Sequence, residues 1–247
     1  MKKEKIGYLI LISVAIISTI CLFFLSPIAQ DTQYHNFCDS STLFNIPNFW
    51  NVISNIPFLI VGLTGLISAS KFSESKIQYL IFFIGISLVS LGSGYYHLNP
   101  NNETLIWDRL PMTIAFMSLF SIIVSEFIDY KKGLKLLIPS LLIGLLSVIY
   151  WLVFNDLRIY VLVQFYPIIA IPIILIFFKS TYNLTIGYWI LSAGYLLAKL
   201  FEHYDYETQT ILRVFSGHTL KHILAALGIA GLLYTYLKRK KVIFTSK

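Results

Sequence analysis

Two histidines stand four residues apart in SGHTLKH (Ser216 to His222), inside a run from Leu212 to Leu237 that is otherwise apolar enough to cross a bilayer. In a helix the i and i+4 side chains lie one above the other, about 6 Å apart at their β-carbons, so His218 and His222 can reach a common point. That is metal-ligand spacing. A second stretch, GSGYYHL (Gly92 to Leu98), sets Ser93 one helical turn before His97, and Asp108 follows across a short polar loop. Ionisable groups in hydrocarbon cost several kcal/mol unless paired or ligated, so three histidines and an aspartate in membrane spans mark a functional site. Three neutral imidazoles with a fourth position open are the arrangement of a catalytic zinc, which makes water acidic enough to attack near neutral pH. Asp108 would take the proton from the attacking water and pass it to the leaving group. Ser93 would hydrogen-bond the oxyanion or hold the water. The set suits hydrolysis of a carbonyl compound, and its place in a bilayer suits a lipid.

The elements that must position these residues follow from composition. The chain has 247 residues, 57% hydrophobic and 13% charged, with mean hydropathy +0.74. Soluble domains carry about 25% charged residues, so the fold class is all-α, a polytopic membrane helix bundle. Crossing about 30 Å of hydrocarbon takes roughly 20 apolar residues. Eight stretches qualify: Ile6 to Ile28, Phe49 to Ser70, Ile77 to Leu98, Trp107 to Ile128, Leu134 to Phe154, Ile159 to Phe178, Leu184 to Phe201 and Leu212 to Leu237. The net charge of +7 does not point to nucleic acid, because the basic residues fall between the spans and no basic aromatic surface accompanies them. Two cysteines, Cys21 and Cys38, provide neither a disulfide framework nor a thiolate zinc site. Any transition metal must use imidazole and carboxylate.

Fourteen of the nineteen Lys and Arg residues lie in segments that face the cytoplasm if the amino terminus does, against Arg109, Arg158 and Arg213 on the other side. Both termini are therefore expected in the cytoplasm. MKKEK before an apolar run resembles a signal peptide, but the run is longer than the usual 7 to 15 residues and SPIAQD is a poor cleavage site, so an uncleaved anchor is expected. In this topology His97 ends an outward-running span, Asp108 opens an inward-running one, and His218 and His222 lie in the outer half of the last. All four fall near the extracytoplasmic face.

Ser-x-x-x-His, a downstream Asp and His-x-x-x-His on successive spans resemble the alkaline ceramidase family, within a superfamily that includes the progestin and adipoQ receptors. PNFWNVISN (Pro47 to Asn55), GSGYYHLNP (Gly92 to Pro100), WDRLPMTIAFMSL (Trp107 to Leu119), DLRIYVLVQFYP (Asp156 to Pro167), AKLFE (Ala198 to Glu202) and SGHTLKH are most similar to its bacterial branch. The resemblance implies residues 1–30 as an added membrane anchor, 31–240 as a seven-helix hydrolase core and 241–247 as a cytoplasmic tail. It implies zinc on His97, His218 and His222, Asp108 as base then acid, Ser93 as oxyanion partner, and cleavage of a ceramide-like lipid amide to fatty acid and sphingoid amine. The eukaryotic members also resemble one another in an amino-terminal calcium site with a carboxylate just before the Phe-Trp-Asn triplet. Here that position is Asn48, and only Asp31, His35 and Asp39 in the outer loop remain as candidate calcium ligands.

Other readings stay open. A bis-His haem on His97 with His218 or His222 would leave Asp108 and Ser93 unexplained. A zinc-stabilised receptor or structural protein would use the same ligands without turnover. Leu91-Gly92-Ser93-Gly94 resembles an intramembrane serine protease in part but lacks the Gly two residues before the Ser. Lys199, Glu202 and His203 share a helical face at the same membrane side, as expected of an ion pair at a span end. Lys221 points away from the metal face, with Glu202, Asp108 or Glu126 as its partner. Gln164 and Tyr160 line the cavity or cross-link helices.

Overall fold

A computed structural model describes residues 2–72 and 76–242. Among them all regular structure is helical apart from two isolated β-bridges, Leu43 with Ile46 and Tyr182 with Lys241. The helices are α1 (Lys2–Phe24), α2 (Phe49–Ile53), α3 (Ile56–Ser68), α4 (Lys76–Leu98), α5 (Asn102–Phe127), α6 (Tyr130–Phe154), α7 (Arg158–Phe177), α8 (Ile186–His203), α9 (Asp205–Leu212) and α10 (Gly217–Lys238). Among the described residues seven segments are long and apolar enough to cross a membrane, with α2 and α3 together making one of them, so this is a multi-pass integral membrane protein. The eighth expected span, Leu184 to Phe201, is not among the seven. It folds as α8, but Lys199, Glu202 and His203 in its last turns lower its hydropathy below that of the others. Of the expected tail 241–247, residues 243–247 lie outside the described residues.

Helix boundaries follow local hydrogen bonding. The α5 helix starts five residues before the expected Trp107, because the Asn101 side chain accepts from the Glu103 and Thr104 amides while the Asn101 amide donates to the Thr104 hydroxyl. This reciprocal cap ties up otherwise orphaned donors at the helix start. Ser216 caps α10 by accepting from the Thr219 amide, so the last span begins at Gly217. Residues 205–212 form the separate α9, and Arg213, at φ 61°, turns the chain between them. The span expected over Phe49 to Ser70 breaks between α2 and α3 at Ser54 and Asn55. Pro57, in the first turn of α3, has no amide hydrogen to continue the ladder.

The most buried span is α5, which packs against α4, α6 and α7. In a bilayer the lipid is as apolar as leucine, so helices associate through close packing and small residues. A β-carbon on Gly194 of α8 would stand 2.9 Å from the Cα of Gly228 in α10, and these two helices form the most extensive pair in the bundle. Next to the site, a β-carbon on Gly92 of α4 would fall 1.8 Å from the carbonyl oxygen of Trp107, so only glycine lets α4 approach α5 here. α8 packs along α10 and touches α9, whereas α7 packs against α1, α5 and α6. A hydrogen bond from Gln164 to the Tyr195 hydroxyl (3.1 Å) links α7 to α8.

The α1 helix lies against α7 and buries only Gly7 and Leu11. The chain just beyond it is held by polar contacts. The Leu157 amide donates to the Ile28 carbonyl (2.8 Å), the Ile28 amide to Asp156 (3.2 Å), and Arg109 to the side-chain oxygen of Gln30. At the opposite end of the bundle Glu126 and Arg239 form a buried ion pair (2.8 Å). Tyr79 and Tyr188 donate hydroxyls to Glu126, and Arg239 sits over the rings of Tyr182 and Tyr236.

Candidate metal centre

His97 sits in the last turn of α4, and His218 and His222 in the first two turns of α10. Their ring centroids form a near-equilateral triangle with sides of 4.9, 5.0 and 4.9 Å, the rings meeting edge to face. All three are buried, and one ligand atom from each lies within 4.8 Å of the others. The Nε2 atoms of His97 and His218 are 3.2 Å apart. Two nitrogens bound tetrahedrally at zinc-imidazole lengths of about 2.0 to 2.1 Å stand about 3.3 Å apart. The residues present fit a zinc-like ion.

The support of each ring is different. Ser54 Oγ lies 2.7 Å from His222 Nδ1 and also donates to the Asn51 carbonyl (3.1 Å). With its own proton used there, Ser54 accepts from Nδ1–H of His222, which leaves Nε2 unprotonated and turned to the centre. The backbone amide of His218 donates to Asp205 Oδ1 (2.6 Å), whose other oxygen accepts from the Cys38 amide (3.0 Å). His97 Nδ1 has no hydrogen-bond partner, and its ring is held by Phe37, at 4.7 Å, and Tyr96. Phe37 also packs on His218 at 4.3 Å, so the loop between α1 and α2 covers the centre with an aromatic side chain. Asn51, fully buried, accepts from the Thr219 hydroxyl (2.8 Å) and fastens α2 to α10.

Ser93 and Asp108 are buried side by side, and the Ser93 side chain engages the Asp108 carboxylate. Together with His222 they line a cavity of about 290 Å³ whose walls are otherwise largely apolar, including Phe58, Phe82, Ile86, Val89, Met112 and Ile229. Tyr160 and Gln164 line it as well. Lys221 pairs with Glu202, of the three partners considered, at 2.5 Å; Lys199 bonds the other oxygen of the same carboxylate. His203 does not join them: it is exposed and stacks on Tyr204.

The candidate calcium ligands do not converge. Asp31 caps a short turn through the Gln33 amide, His35 bonds the Tyr96 hydroxyl and Asn102, and Asp39 takes the Ser41 hydroxyl and the Asn51 amide. Asn48 donates from Nδ2 to the His97 carbonyl (2.9 Å), a bond that a carboxylate could not make. Cys38, beside Asp205, has its thiol pushed up to about 11 by burial and by that carboxylate, and takes no part in the centre.

The supporting residues Ser54, Asn51 and Asp205 are absent from the sequence expectation. For Asn51 and Ser54 the signal was a polar stripe, Asn51, Ser54 and Asn55, within an apolar span, which buried polar residues in a membrane helix justify reading as functional.

A family model described as Ceramidase matches residues 29–240. Alkaline ceramidase 3 of Mus musculus is 31% identical over 71 residues, a stretch covering 29% of this chain and 26% of that protein's length.

Proposed function

Since the chain belongs to the ceramidase family, we propose that it is a zinc-dependent hydrolase of lipid amides, cleaving a ceramide-like substrate to a fatty acid and an amine. The observation that carries this reading is the buried triangle of His97, His218 and His222 at the end of an apolar cavity that also holds Ser93 and Asp108. His97, His218 and His222 would hold the ion through Nε2, and zinc bound there supplies a Lewis acid and makes water a competent nucleophile near neutral pH. Asp108 accepts the proton of the attacking water and later delivers it to the departing amine nitrogen. Ser93, on the neighbouring helix, donates its hydroxyl to the carbonyl oxygen as negative charge develops there. The apolar walls take the acyl chain and keep bulk water from the reacting groups.

In the same reading α8 crosses the membrane beside α10, giving residues 31–240 seven spans behind an anchor of residues 1–30. Both termini are cytoplasmic, the site lies near the extracytoplasmic face, and substrate enters laterally from the outer leaflet. Purified protein in detergent, assayed for metal content and for cleavage of a labelled ceramide, tests the chemistry. His222→Ala is expected to lose zinc and activity together. Asp108→Asn keeps the zinc and loses at least a hundredfold in kcat, the scale of general acid-base catalysis. An active His222→Ala protein would overturn the assignment.

A further inference from the structure

The cavity wall next to the metal centre carries more positive than negative charge. Lys199, Lys221 and Arg109 line it with Asp108 as the one carboxylate among the lining residues, and Glu202 pairs with the lysines from outside the lining. Both lysines share the single carboxylate of Glu202, at 2.5 Å each. Each ammonium has three donors, so two on each lysine remain for another acceptor. Arg109 is buried with Nη2 bound to Gln30 and its guanidinium over the rings of Trp151 and Tyr160; its Nη1 has no hydrogen-bond partner. A surplus cation in a largely apolar cavity is costly unless a ligand brings the matching charge.

The position of this charge limits what the ligand can be. Lys221 directly precedes His222, and Asp108 lies within electrostatic reach of Lys221, Arg109 and Glu202. An anion held there shares one cavity with an amide placed beside His222. A neutral amino alcohol would leave the lysines uncompensated, whereas a carboxylate beside the amide nitrogen would complete them.

We propose that the Lys199, Glu202 and Lys221 cluster, with Arg109, is a head-group site for an acidic lipid amide, in the simplest case a long-chain N-acyl amino acid. This rests on the hydrolase reading above and replaces its ceramide-like substrate, whose head group is neutral, by an acidic amide. Two amides of equal chain length, an N-acylglycine and an N-acylethanolamine, are compared as substrates of the full chain in detergent. The wild type is expected to favour the N-acylglycine in kcat/KM by roughly tenfold or more, the size of one charge-assisted hydrogen bond. Lys199→Gln should cut that preference about tenfold, and Glu202→Gln, which adds to the surplus, should raise it. Opposite responses of two variants exclude a shared folding defect. A preference for the ethanolamide, or a ratio unmoved by either variant, would overturn the proposal and leave the hydrolase intact. If neither amide is cleaved, displacement of a fluorescent fatty-acid analogue by N-acylglycine reads the site alone. Displacement weakened about tenfold by Lys199→Gln upholds the anion site while the hydrolase reading falls. Displacement indifferent to both variants overturns the site.

Discussion

Replacing Ser54 by alanine removes one oxygen atom from the surroundings of His222 and no side chain that lines the cavity. The hydroxyl is buried, lies 2.7 Å from His222 Nδ1 and is fixed by its own bond to the Asn51 carbonyl. Without it the Nδ1 proton is left with Asn55 Nδ2, itself a donor, at 3.4 Å, and a share of the Asn51 carbonyl that already accepts from Asn55 (2.8 Å). Leaving a buried donor unpaired costs about 1 to 3 kcal/mol, and loss of an outer partner of a metal-bound histidine typically weakens metal affinity by about 10- to 100-fold. The two figures agree, since a factor of ten is about 1.4 kcal/mol. Zinc affinity of the purified protein, measured against a chromogenic chelator, should therefore fall about 10- to 100-fold in Ser54→Ala. In Ser54→Thr, which keeps the hydroxyl, much of it should return. An alanine variant that holds zinc as tightly as the wild type would refute the role given to Ser54 and with it the choice of Nε2 as the ligand atom of His222.

Gly92→Ala forces a β-carbon into the Trp107 carbonyl, where backbone rather than a flexible side chain must yield. It should lower stability by about 1 to 3 kcal/mol or more and reduce turnover by separating Ser93 from Asp108, checked by thermal unfolding in detergent alongside kcat. Arg239→Met strands Glu126 in a buried setting at the far end of the bundle. Thermal unfolding should show a loss of about 3 to 5 kcal/mol with zinc affinity unchanged; a change in affinity would mean that the two ends are coupled. Asp156, in the α6–α7 loop, has its carboxyl held down to about 2 by the Arg158 guanidinium, aided by the Arg158 and Ile28 amides. A depressed carboxyl stabilises the fold above its unfolded value near 3.9 and loses that contribution as pH falls toward 2. Asp156→Asn should flatten stability against pH in that interval, as followed by tryptophan fluorescence.

The histidine triangle was readable from the residues because two independent regularities agreed: four-residue spacing in one span, and equal depth of His97 at the end of α4 with His218 and His222 at the start of α10. The family resemblance seen in the same motifs is met by a family match over residues 29–240. What stayed hidden depends on chain geometry that hydropathy does not encode. The Asn101 cap lengthens α5 through polar residues that read as loop, so that Arg109, expected at the very end of its span, lies two turns into the helix and is buried. The break before α3 swings Ser54 onto His222, although a continuous apolar run suggested an unbroken helix. For α8 the opposite holds: its apolar half reads as a span, while Lys199 in its last turns lines the cavity. Asp31, His35 and Asp39 shared a loop in sequence, yet each is taken by a different hydrogen-bond partner, Gln33, Tyr96 and Asn51.

The polar fastening of residues 28 to 30 changes what can be cut away. Deleting α1 alone removes a helix that buries only Gly7 and Leu11, and the rest of the bundle should tolerate it. Trimming as far as residue 31 would also take Gln30 from Arg109 and Ile28 from Asp156, and so would unseat a cation on the cavity wall. A shortened protein made for crystallisation or for design should therefore begin before Ile28, even though the family match opens at residue 29.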